Sequence, residues 1–341
     1  MKSTQYRVGV DTGGTFTDLI MMGDDGRLLR NKVLSTPDDF SRGILQALTE
    51  TMAAHGLTGA DVREFIHGTT VATNAVLESK GPSLGLITTR GFADVLEIGR
   101  GTWGADVHDL RWLKPEPLVA RTNRREIDER LSARGEVLCA PNSDQIAQEL
   151  AFLHDAGIRD VAVCLLNAYV DPVHERLVQS VGQRMFTDMN ICCSTDVLGE
   201  AREYERTSTT VINTFLMPVV DCYLERLQTA LRNVGYNGSV LVMQSNGGLI
   251  SADMARRRPV NIVESGPAAG VLSACYLAEQ TNDRNLIAFD MGGTTAKATL
   301  IEDGQPFESA EYHVGGGMSH SGSQGGGHVI RVPSIEIAEV G

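Results

Sequence analysis

Residues 8–26 read VGVDTGGTFTDLIMMGDDG, and residues 287–304 read IAFDMGGTTAKATLIEDG. The shared core is Asp-x-Gly-Gly-Thr, which begins at Asp11 in the first stretch and at Asp290 in the second. In both stretches an apolar run stands on each side of the core, and an Asp-Gly pair closes the stretch. The pattern predicts one unit of strand, turn and strand, used twice.

The turn of this unit predicts an anion site. Adjacent glycines adopt backbone angles that other residues resist, and they leave the backbone N–H groups open to a phosphate. The predicted phosphate-binding residues are Gly13, Gly14, Thr15 and Thr17 in the first copy and Gly292, Gly293, Thr294 and Thr295 in the second. Asp11 and Asp290 repel phosphate, so they are expected to hold Mg²⁺ through water, and the ion bridges to phosphate oxygens. A plain hairpin turn is the alternative, and two matching copies weaken it.

The rest of the chain alternates strands with helices. This alternation predicts an α/β protein with mixed sheets. A long helix is expected from about Glu203 past Tyr223, with Pro218 as the candidate point for a break. The sequence contains neither the G-x-G-x-x-G fingerprint nor a P-loop, so nucleotide binding must rest on a different fold.

Composition excludes several classes of protein. With 341 residues the chain is long enough for about two domains. A hydrophobic content of 42% excludes a disordered chain, and a net charge of −13 argues against nucleic-acid binding. No apolar run is long enough to span a membrane, and the N-terminus lacks a signal peptide, so we expect a cytoplasmic protein without a membrane partner.

The cysteines and a group of histidines offer weaker signals. The six cysteines contain no C-x-x-C pair, and Cys192-Cys193 is expected to be buried rather than redox-active. His313, His320 and His328 lie in a Gly-rich stretch whose spacing matches no standard zinc pattern. We therefore expect a mobile loop there rather than a metal site.

Three further positions have two interpretations each. The turn of His67, Gly68, Thr69 and Thr70 suits an anion or a polarised carbonyl, or it simply caps a helix. Arg100, with the tryptophan-containing loop at 101–112, lines a substrate site or lies on the surface. Lys297 neutralises phosphate charge or is a solvated strand residue.

Seven motifs in order resemble one protein family. The two hairpins and the small-residue segment ESGPAAGV, Glu264 to Val271, resemble the actin/sugar-kinase/heat-shock-chaperone ATPase superfamily. Within it, the chain resembles the hydantoinase A/oxoprolinase family through VDTGGTFTD, HGTTVATNAVLE, TTRGFADVLEIGR, EYERTSTTVIN, QSNGG, ESGPAAGV and FDMGGTTAK. The resemblance covers essentially the whole chain.

The resemblance implies an actin-like ATPase fold, also described as ribonuclease H-like, with mixed sheets flanked by helices. It implies a first domain over residues 1–285, which includes the hydantoinase A N-terminal region over about 1–190. Residues 286–341 would then begin a second ATPase domain that is truncated here.

The resemblance also implies a chemistry. The family includes ATP-dependent enzymes that open cyclic amides such as 5-oxoproline or hydantoins by phosphorylating the amide oxygen. By this resemblance Asp11 and Asp290 are catalytic, and Glu264, Gly266 and Lys297 join the hairpins in binding ATP and Mg²⁺. The segment from His67 to Thr70 and Arg100 would face the substrate.

The resemblance further implies a partner, a B-type hydantoinase subunit or domain, within a hetero-oligomer. Two alternatives stay open. One is a subunit of an ATP-dependent acetone or acetophenone carboxylase, and the other is an inactive truncated fragment.

Overall fold

The computed structural model describes residues 4–100, 115–291, 296–315 and 327–340. It divides into two compact units. Unit 1 comprises residues 1–74, 219–310 and 332–341, and unit 2 comprises residues 75–218 and 311–331. These limits differ from the boundary predicted at residues 285 and 286, which lies inside unit 1. The division into a first domain and an incomplete second one therefore stays a prediction.

The strands and helices are numbered along the chain. The strands are β1 Tyr6–Thr12, β2 Phe16–Gly23, β3 Leu28–Leu34, β4 Val62–Thr69, β5 Leu84–Thr89, β6 Arg124–Ile127, β7 Arg130–Leu131, β8 Val137–Cys139, β9 Asp160–Cys164, β10 Asn190–Cys193, β11 Val240–Met243, β12 Leu249–Ser251, β13 Leu286–Met291, β14 Ala296–Glu302, β15 Gln305–Pro306, β16 Glu308–Ser309, β17 Tyr312–Val314, β18 His328–Ile330, β19 Ser334–Ile335 and β20 Ala338–Val340. The helices are α1 Phe40–His55, α2 Val71–Leu77, α3 Val95–Ile98, α4 Ser143–Asp155, α5 Val173–Met185, α6 Ser194–Val197, α7 Glu203–Asn233, α8 Ala252–Arg257 and α9 Ser265–Thr281.

The main sheet of unit 1 has the strand order β12-β11-β4-β1-β2-β3. Strand β1 is antiparallel to β2 and parallel to β4, so it lies in the interior of a mixed sheet. Thr12 is paired with Thr17, which leaves residues 13–16 as the turn. The predicted strand, turn and strand of the first copy are therefore present.

Helix α1 follows this meander and covers one face of it. Asp39 caps its N-terminus by accepting a hydrogen bond from the Ser41 N–H, and Gly56 closes its C-terminus in the left-handed region. The apolar stripe of Ile44, Ala47 and Leu48 is fully buried. Burial of this stripe is the main source of the helix's stability.

The second copy forms a smaller sheet. Strands β13 and β14 are antiparallel, and β15 and β20 pair with the other edge of β14. Helix α9 packs against this sheet through a small core of Ala268, Val271, Ile301, Ile335 and Ile337. The turn residues Gly292, Gly293, Thr294 and Thr295 lie outside the described residues.

Unit 2 has a parallel sheet with the order β10-β9-β5-β6. All residues of β5 and β9 are buried, as expected for strands covered on both faces. Helices α4 and α5 contribute Ile146, Leu150 and Val178 to its core. Cys192 and Cys193 are buried in β10, and burial raises the pKa of both thiols, as expected for inert cysteines.

Helix α7 runs from Glu203 to Asn233 with Pro218 in its interior, so the predicted break near this proline is wrong. Proline removes one backbone hydrogen bond, but the flanking Leu216, Val220 and Leu224 are fully buried and their packing offsets the loss. Among the described helices none has the length and apolar character needed to cross a membrane. The predicted α/β architecture with mixed sheets flanked by helices is confirmed.

Candidate functional site

An open cavity of about 460 Å³ in unit 1 brings together both predicted catalytic aspartates. Asp11 reaches it from β1, Asp290 from β13 and Lys297 from β14. Helix α9 and nearby strands complete the wall with Gly266, Pro267, Ala269, Gly270, Val271, Ser273, Ala274, Ala288, Phe289, Thr299 and Ile337. The two copies of the repeat therefore contribute one acidic residue each to the same cavity.

The Asp11 carboxylate lies between two glycines. A Cβ atom on Gly266 would stand 2.9 Å from Asp11 Oδ1, and a Cβ atom on Gly68 would stand 3.1 Å from the same oxygen. Any side chain at Gly266 would displace the carboxylate, and at Gly68 the fit is tight. The predicted residues Gly68 and Gly266 are thus needed for close packing around Asp11.

The surroundings of Asp11 disfavour its charge. Loss of water around the carboxyl group raises its pKa, and the nearby carboxylates of Asp18 and Asp290 raise it further. The Thr12 backbone N–H and Lys32 oppose this shift. A carboxylate under such repulsion is a favourable ligand for a cation.

Lys297 lies opposite Asp290 in the β13–β14 pair, and its ammonium group donates to Glu264 Oε2 at 2.6 Å. The side chains of Lys297 and Glu264 are only 16% and 6% exposed. Lys297 is therefore not a solvated strand residue, and its charge is held inside the cavity wall by a carboxylate.

Glu264 begins α9 in a strained conformation. Its φ of 60° and ψ of 27° lie in the left-handed region, which non-glycine residues rarely adopt. Its backbone N–H donates to Thr73 Oγ1 at 3.0 Å. The next residue, Ser265, donates its hydroxyl to the Thr69 carbonyl and accepts from the Thr69 N–H. These bonds fix the start of α9 against the end of β4.

The first hairpin turn differs from the prediction in one respect. Neither Gly13 nor Gly14 has a positive φ, so the backbone angles do not require glycine there. A Cβ atom on Gly14 would meet no atom within 4 Å, so the missing side chain leaves open space. Gly13 N–H donates to the Phe16 carbonyl, whereas the N–H groups of Gly14 and Thr15 have no acceptor among the described residues.

Thr15 and Thr17 differ in exposure to solvent. Thr15 is exposed at the turn, where its hydroxyl can reach a ligand. Thr17 is fully buried, and its hydroxyl is hydrogen-bonded to Ser35 Oγ at 3.1 Å. The alternation of side chains along β2 points Thr17 toward α1, so the structure uses this hydroxyl inside the fold, and its role as a phosphate ligand stays a prediction.

His67 is fully buried. Its Nδ1 is 3.3 Å from the Val10 carbonyl, and its Nε2 pairs with the Tyr223 hydroxyl. A carbonyl only accepts, so Nδ1 carries the proton and Nε2 accepts from Tyr223. Burial lowers the pKa of His67 to about 4. A neutral imidazole with both nitrogens engaged cannot contact a substrate, so this predicted role is not supported.

The rest of this turn is built into the fold. Thr69 is fully buried, and its hydroxyl accepts from the Val71 N–H. Thr70 bonds to the Thr12 carbonyl. Helix α2 that follows has only seven residues. The alternative that this turn caps a helix has the better structural support.

Arg100 is held in an ion-pair cluster in unit 2. Its Nε donates to Glu205 Oε1 at 2.8 Å, and its Nη2 donates to Glu311. Hydrogen bonds from His313 and from Arg100 hold the pKa of Glu311 at about 2. Arg100 therefore acts as a structural cation here, and the tryptophan loop at 101–112 lies outside the described residues.

The motif EYERTSTTVIN is also structural in unit 2. Arg206 is fully buried, and it donates to Ser194 Oγ at 2.8 Å and to the Leu165 carbonyl at 2.6 Å. Of the three histidines considered for a metal site, His313 pairs with Glu311, His328 lies in β18, and His320 is outside the described residues. The described residues contain no cluster of three or more potential metal ligands.

The sequence interpretation missed two residues near the cavity. Thr299 is 3% exposed, lines the cavity, and its hydroxyl has no partner among the described residues. Its position two residues after Lys297 places both on one face of β14, which is the signal that could have identified it. Thr73, which holds the Glu264 backbone, lies within the motif HGTTVATNAVLE, but the sequence interpretation gave it no role.

Comparison with known proteins extends these findings. The model of the hydantoinase/oxoprolinase N-terminal region matches residues 7–186, and the hydantoinase/oxoprolinase model matches residues 206–341. An uncharacterised protein of Methanocaldococcus jannaschii is 38% identical over 98% of this chain and 49% of its own length. The caprolactamase subunit alpha of Pseudomonas jessenii is 32% identical over 100% of this chain and 51% of its own length.

A solved structure of a relative has a similar fold. The crystal structure of the ATP-dependent caprolactamase from Pseudomonas jessenii matches with a TM-score of 0.84 at 31% identity, over 98% of this chain and 48% of that chain. Other similar proteins are named as a 5-oxoprolinase of Saccharomyces cerevisiae and as an acetophenone carboxylase gamma subunit of Aromatoleum aromaticum. The chain spans about half the length of the curated relatives reported above. Since both family models match in order along it, this chain belongs to the hydantoinase/oxoprolinase family.

Proposed function

We propose that this chain is the ATP-binding part of an ATP-dependent enzyme that opens a cyclic amide. The observation that carries the proposal is the cavity shared by Asp11 and Asp290, one from each copy of the repeat. The ATP-dependent caprolactamase to which the chain is similar acts on a compound of this class, as its name says.

The cavity fits a polyphosphate with its cation. Asp11 and Asp290 would hold Mg²⁺ through water, and the mutual repulsion that raises the Asp11 pKa is relieved by a cation. Bound Mg²⁺ would neutralise phosphate charge during phosphoryl transfer. The N–H groups of Gly14 and Thr15, which have no acceptor in the part of the chain that the structure describes, would donate to phosphate oxygens, and we propose the same role for the second turn.

Lys297 is proposed to act through its ion pair. Glu264 holds the ammonium group in the cavity wall next to Asp290, where it offsets part of the negative charge of the two aspartates. Lys297 would thereby set the net charge of the cavity into which Mg²⁺ and phosphate bind. Thr299 adds a hydroxyl to the same wall.

The proposed reaction first phosphorylates the amide oxygen and then hydrolyses the activated amide. The amide oxygen attacks the γ-phosphorus of ATP, and the bond from this phosphorus to the ADP oxygen breaks. Water then adds to the activated carbon and the C–N bond opens, which leaves the carboxyl group as an acyl phosphate. A second water attacks this acyl phosphate and its phosphate leaves, so the products are the amino acid, ADP and phosphate. Phosphorylation converts a poor leaving group into a good one, and positioned charges supply most of the catalysis. A B-type subunit or domain is the proposed partner.

The test is ATP consumption that depends on a cyclic amide. The full complex, with its partner subunit, is incubated with 5-oxoproline, a hydantoin or caprolactam, and both ADP and ring-opened product are measured. Equal release of both is expected, and Asp290→Asn should abolish it while Glu225→Gln, an exposed change on α7, leaves it intact. Ring opening without ATP would overturn the proposal.

A ketone carboxylase subunit is the second candidate. It is favoured by the 32% identity to the acetophenone carboxylase gamma subunit over 86% of this chain. In that case the phosphorylated oxygen belongs to an enol and the attacked group is derived from bicarbonate. ATP turnover that requires a ketone and bicarbonate, and no lactam, would decide for it.

A further inference from the structure

The turn of the first hairpin is held by Ser35, a residue that belongs to none of the seven motifs. Ser35 directly follows β3, and its side chain is partly buried. Its hydroxyl donates to the Gly13 carbonyl at 2.7 Å, and its backbone N–H donates to the Thr15 carbonyl at 2.9 Å. One residue therefore holds a carbonyl group on each side of Gly14.

The direction of the hydroxyl protons in this network follows from their partners. Thr17 Oγ1 and Ser35 Oγ lie 3.1 Å apart, and by distance alone either hydroxyl is a possible donor. A carbonyl oxygen only accepts, so the single hydroxyl proton of Ser35 is used on Gly13, and Thr17 donates to Ser35. Linked hydrogen bonds polarise one another, which strengthens the bond to the Gly13 carbonyl. The buried Thr17 hydroxyl thus supports a bond that ends at the turn.

The bond to the Gly13 carbonyl sets the direction of the Gly14 N–H. Both groups belong to one planar trans peptide, in which the C=O and the N–H point in opposite directions. Because the carbonyl points at Ser35, the Gly14 N–H points away from it. Gly14 is exposed, and a Cβ atom there would meet no atom within 4 Å. The Gly14 N–H is therefore presented to open space.

The orientation of this peptide depends on the Ser35 hydroxyl. Neither Gly13 nor Gly14 has a Cβ atom, so the peptide between them rotates at little steric cost. The Gly13 N–H donates to the Phe16 carbonyl at 3.0 Å, but within the described residues the Gly13 carbonyl accepts from no backbone N–H. Its partner is the Ser35 side chain.

We propose that Ser35 is a positioning residue for the first phosphate turn. Its hydroxyl, supported by Thr17, aims the Gly14 N–H at the place where a phosphate oxygen of Mg·ATP binds. A bond that orients a donor before the ligand arrives improves affinity, because the ligand does not have to order the turn. This inference rests on the proposed function, since it takes phosphate as the anion of the turn.

The neighbouring Thr36 offers a matched control for a role in folding alone. Thr36 is also partly buried, and its hydroxyl donates to the Asp39 carbonyl at 2.6 Å and accepts from the Gly43 N–H at 3.1 Å. These bonds stabilise the start of α1. Thr36→Val and Ser35→Ala each remove one hydroxyl, and the hydroxyl of Ser35 is the one that is bonded to the turn.

The test reads the Gly13–Gly14 peptide directly by NMR. The full chain and its variants Ser35→Ala, Ser35→Thr and Thr36→Val carry glycine labelled with ¹³C at the carbonyl and ¹⁵N at the amide. A correlation of each amide with the preceding carbonyl then shows only Gly–Gly peptides, and Gly14→Ala identifies the signal of interest. Spectra are recorded without ligand and through a titration with Mg·ATP, and the melting temperature of each variant is measured.

We expect Ser35→Ala to shift the Gly13 carbonyl signal in the free chain and to weaken Mg·ATP binding, read from the Gly14 amide signal, about tenfold. Ser35→Thr should restore both to the values of the unchanged chain. Thr36→Val should leave both unchanged even where it lowers the melting temperature. Equal affinities of Ser35→Ala and Thr36→Val would overturn the positioning role. An unchanged chain whose Gly14 signal does not respond to Mg·ATP would contradict the proposed function itself, and the role of Ser35 with it.

Discussion

At the scale of single residues, Asp11 combines a functional position with a cost in stability. Its carboxyl group is partly desolvated and repelled by Asp18 and Asp290, which raises its pKa. A carboxyl group whose pKa is raised by folding favours the folded state below its unfolded pKa of 3.8, and this contribution is lost as the pH rises through the folded value. At pH 7 the charge on Asp11 therefore opposes folding.

We expect Asp11→Asn to raise the melting temperature at pH 7 slightly and to weaken Mg·ATP binding about tenfold or more. The gain in stability stays small because the Asp11 side chain keeps part of its surface in water, which screens the repulsion. Thermal unfolding and titration calorimetry on the same preparations measure the two effects, with Glu225→Gln as the control. A variant that loses stability and keeps its affinity for Mg·ATP would contradict the assignment.

The stability contribution of His67 depends on pH in the opposite direction from that of Asp11. Its pKa is lowered from 6.5 to about 4 by burial, so the unfolded chain takes up a proton on this residue before the folded chain does. Stability from His67 is present above pH 6.5 and is lost as the pH falls toward 4.

The loss from His67 should reach about 3 kcal/mol between pH 6.5 and pH 4. Urea unfolding at a series of pH values measures it. His67→Gln should flatten the slope in this window, and Tyr223→Phe should cost about 1–3 kcal/mol at pH 7 because it leaves Nε2 buried without a partner. An unchanged slope in His67→Gln would show that other groups control the acid sensitivity.

At the scale of elements, the start of α9 positions the charges of the cavity. Glu264 caps it in a strained conformation, Ser265 ties it to β4, and Gly266 leaves room for the Asp11 carboxylate. Three consecutive residues at the start of α9 thus contact three strands: Glu264 contacts β14, Ser265 contacts β4 and Gly266 contacts β1. Two substitutions separate their roles.

Gly266→Ala should separate binding from stability. Its Cβ would lie 2.9 Å from Asp11 Oδ1, and the flexible carboxylate can move away at little cost. Alanine is preferred over glycine in a helix by about 1 kcal/mol, so the melting temperature should not fall. Affinity for Mg·ATP should fall about tenfold. Gly199→Ala, where a Cβ meets no atom within 4 Å, is the control. If Gly266→Ala leaves the affinity for Mg·ATP unchanged, close packing around Asp11 is not needed for binding.

Breaking the Glu264–Lys297 pair should destabilise unit 1. Glu264→Gln is expected to cost about 3 kcal/mol, because it removes the carboxylate charge that pairs with the Lys297 ammonium in a largely buried place. The double variant with Lys297→Met should cost less than the sum of the two single changes. Asp38→Asn, in the exposed pair with Arg42, should cost less than about 1 kcal/mol. Additive costs of the two single changes would show that the pair is not coupled.

At the scale of the whole molecule, the cavity supplies groups suited to phosphate and Mg²⁺. The chain spans about half the length of its relatives, and we propose that much of the adenosine contact comes from the other half. Calorimetry of the isolated chain with Mg·ATP should then give a Kd weaker than about 1 μM, since several kcal/mol of contact are missing. Submicromolar binding would show that the chain carries a complete nucleotide site.

The fold and the site were predictable to different degrees. The repeat identified the first hairpin, the second strand pair and the meeting of Asp11 and Asp290 at one cavity. The sequence did not show that His67 and Thr17 are buried, since burial depends on which elements pack on a strand. The ion pairs of Arg100 were not predictable for a similar reason, because Glu205 and Glu311 come from distant parts of the chain.

The sequence by itself determined the family, the α/β architecture and the two hairpins, because turn glycines and alternating apolar residues act over short distances. Only the tertiary structure decided which polar groups face the cavity and which are used inside the fold. Lys297 illustrates this, since its partner Glu264 comes from a different element and converts a free cation into a buried ion pair. The physical reason is that desolvation and pairing are properties of side chains brought together by packing, and local sequence does not specify those neighbours.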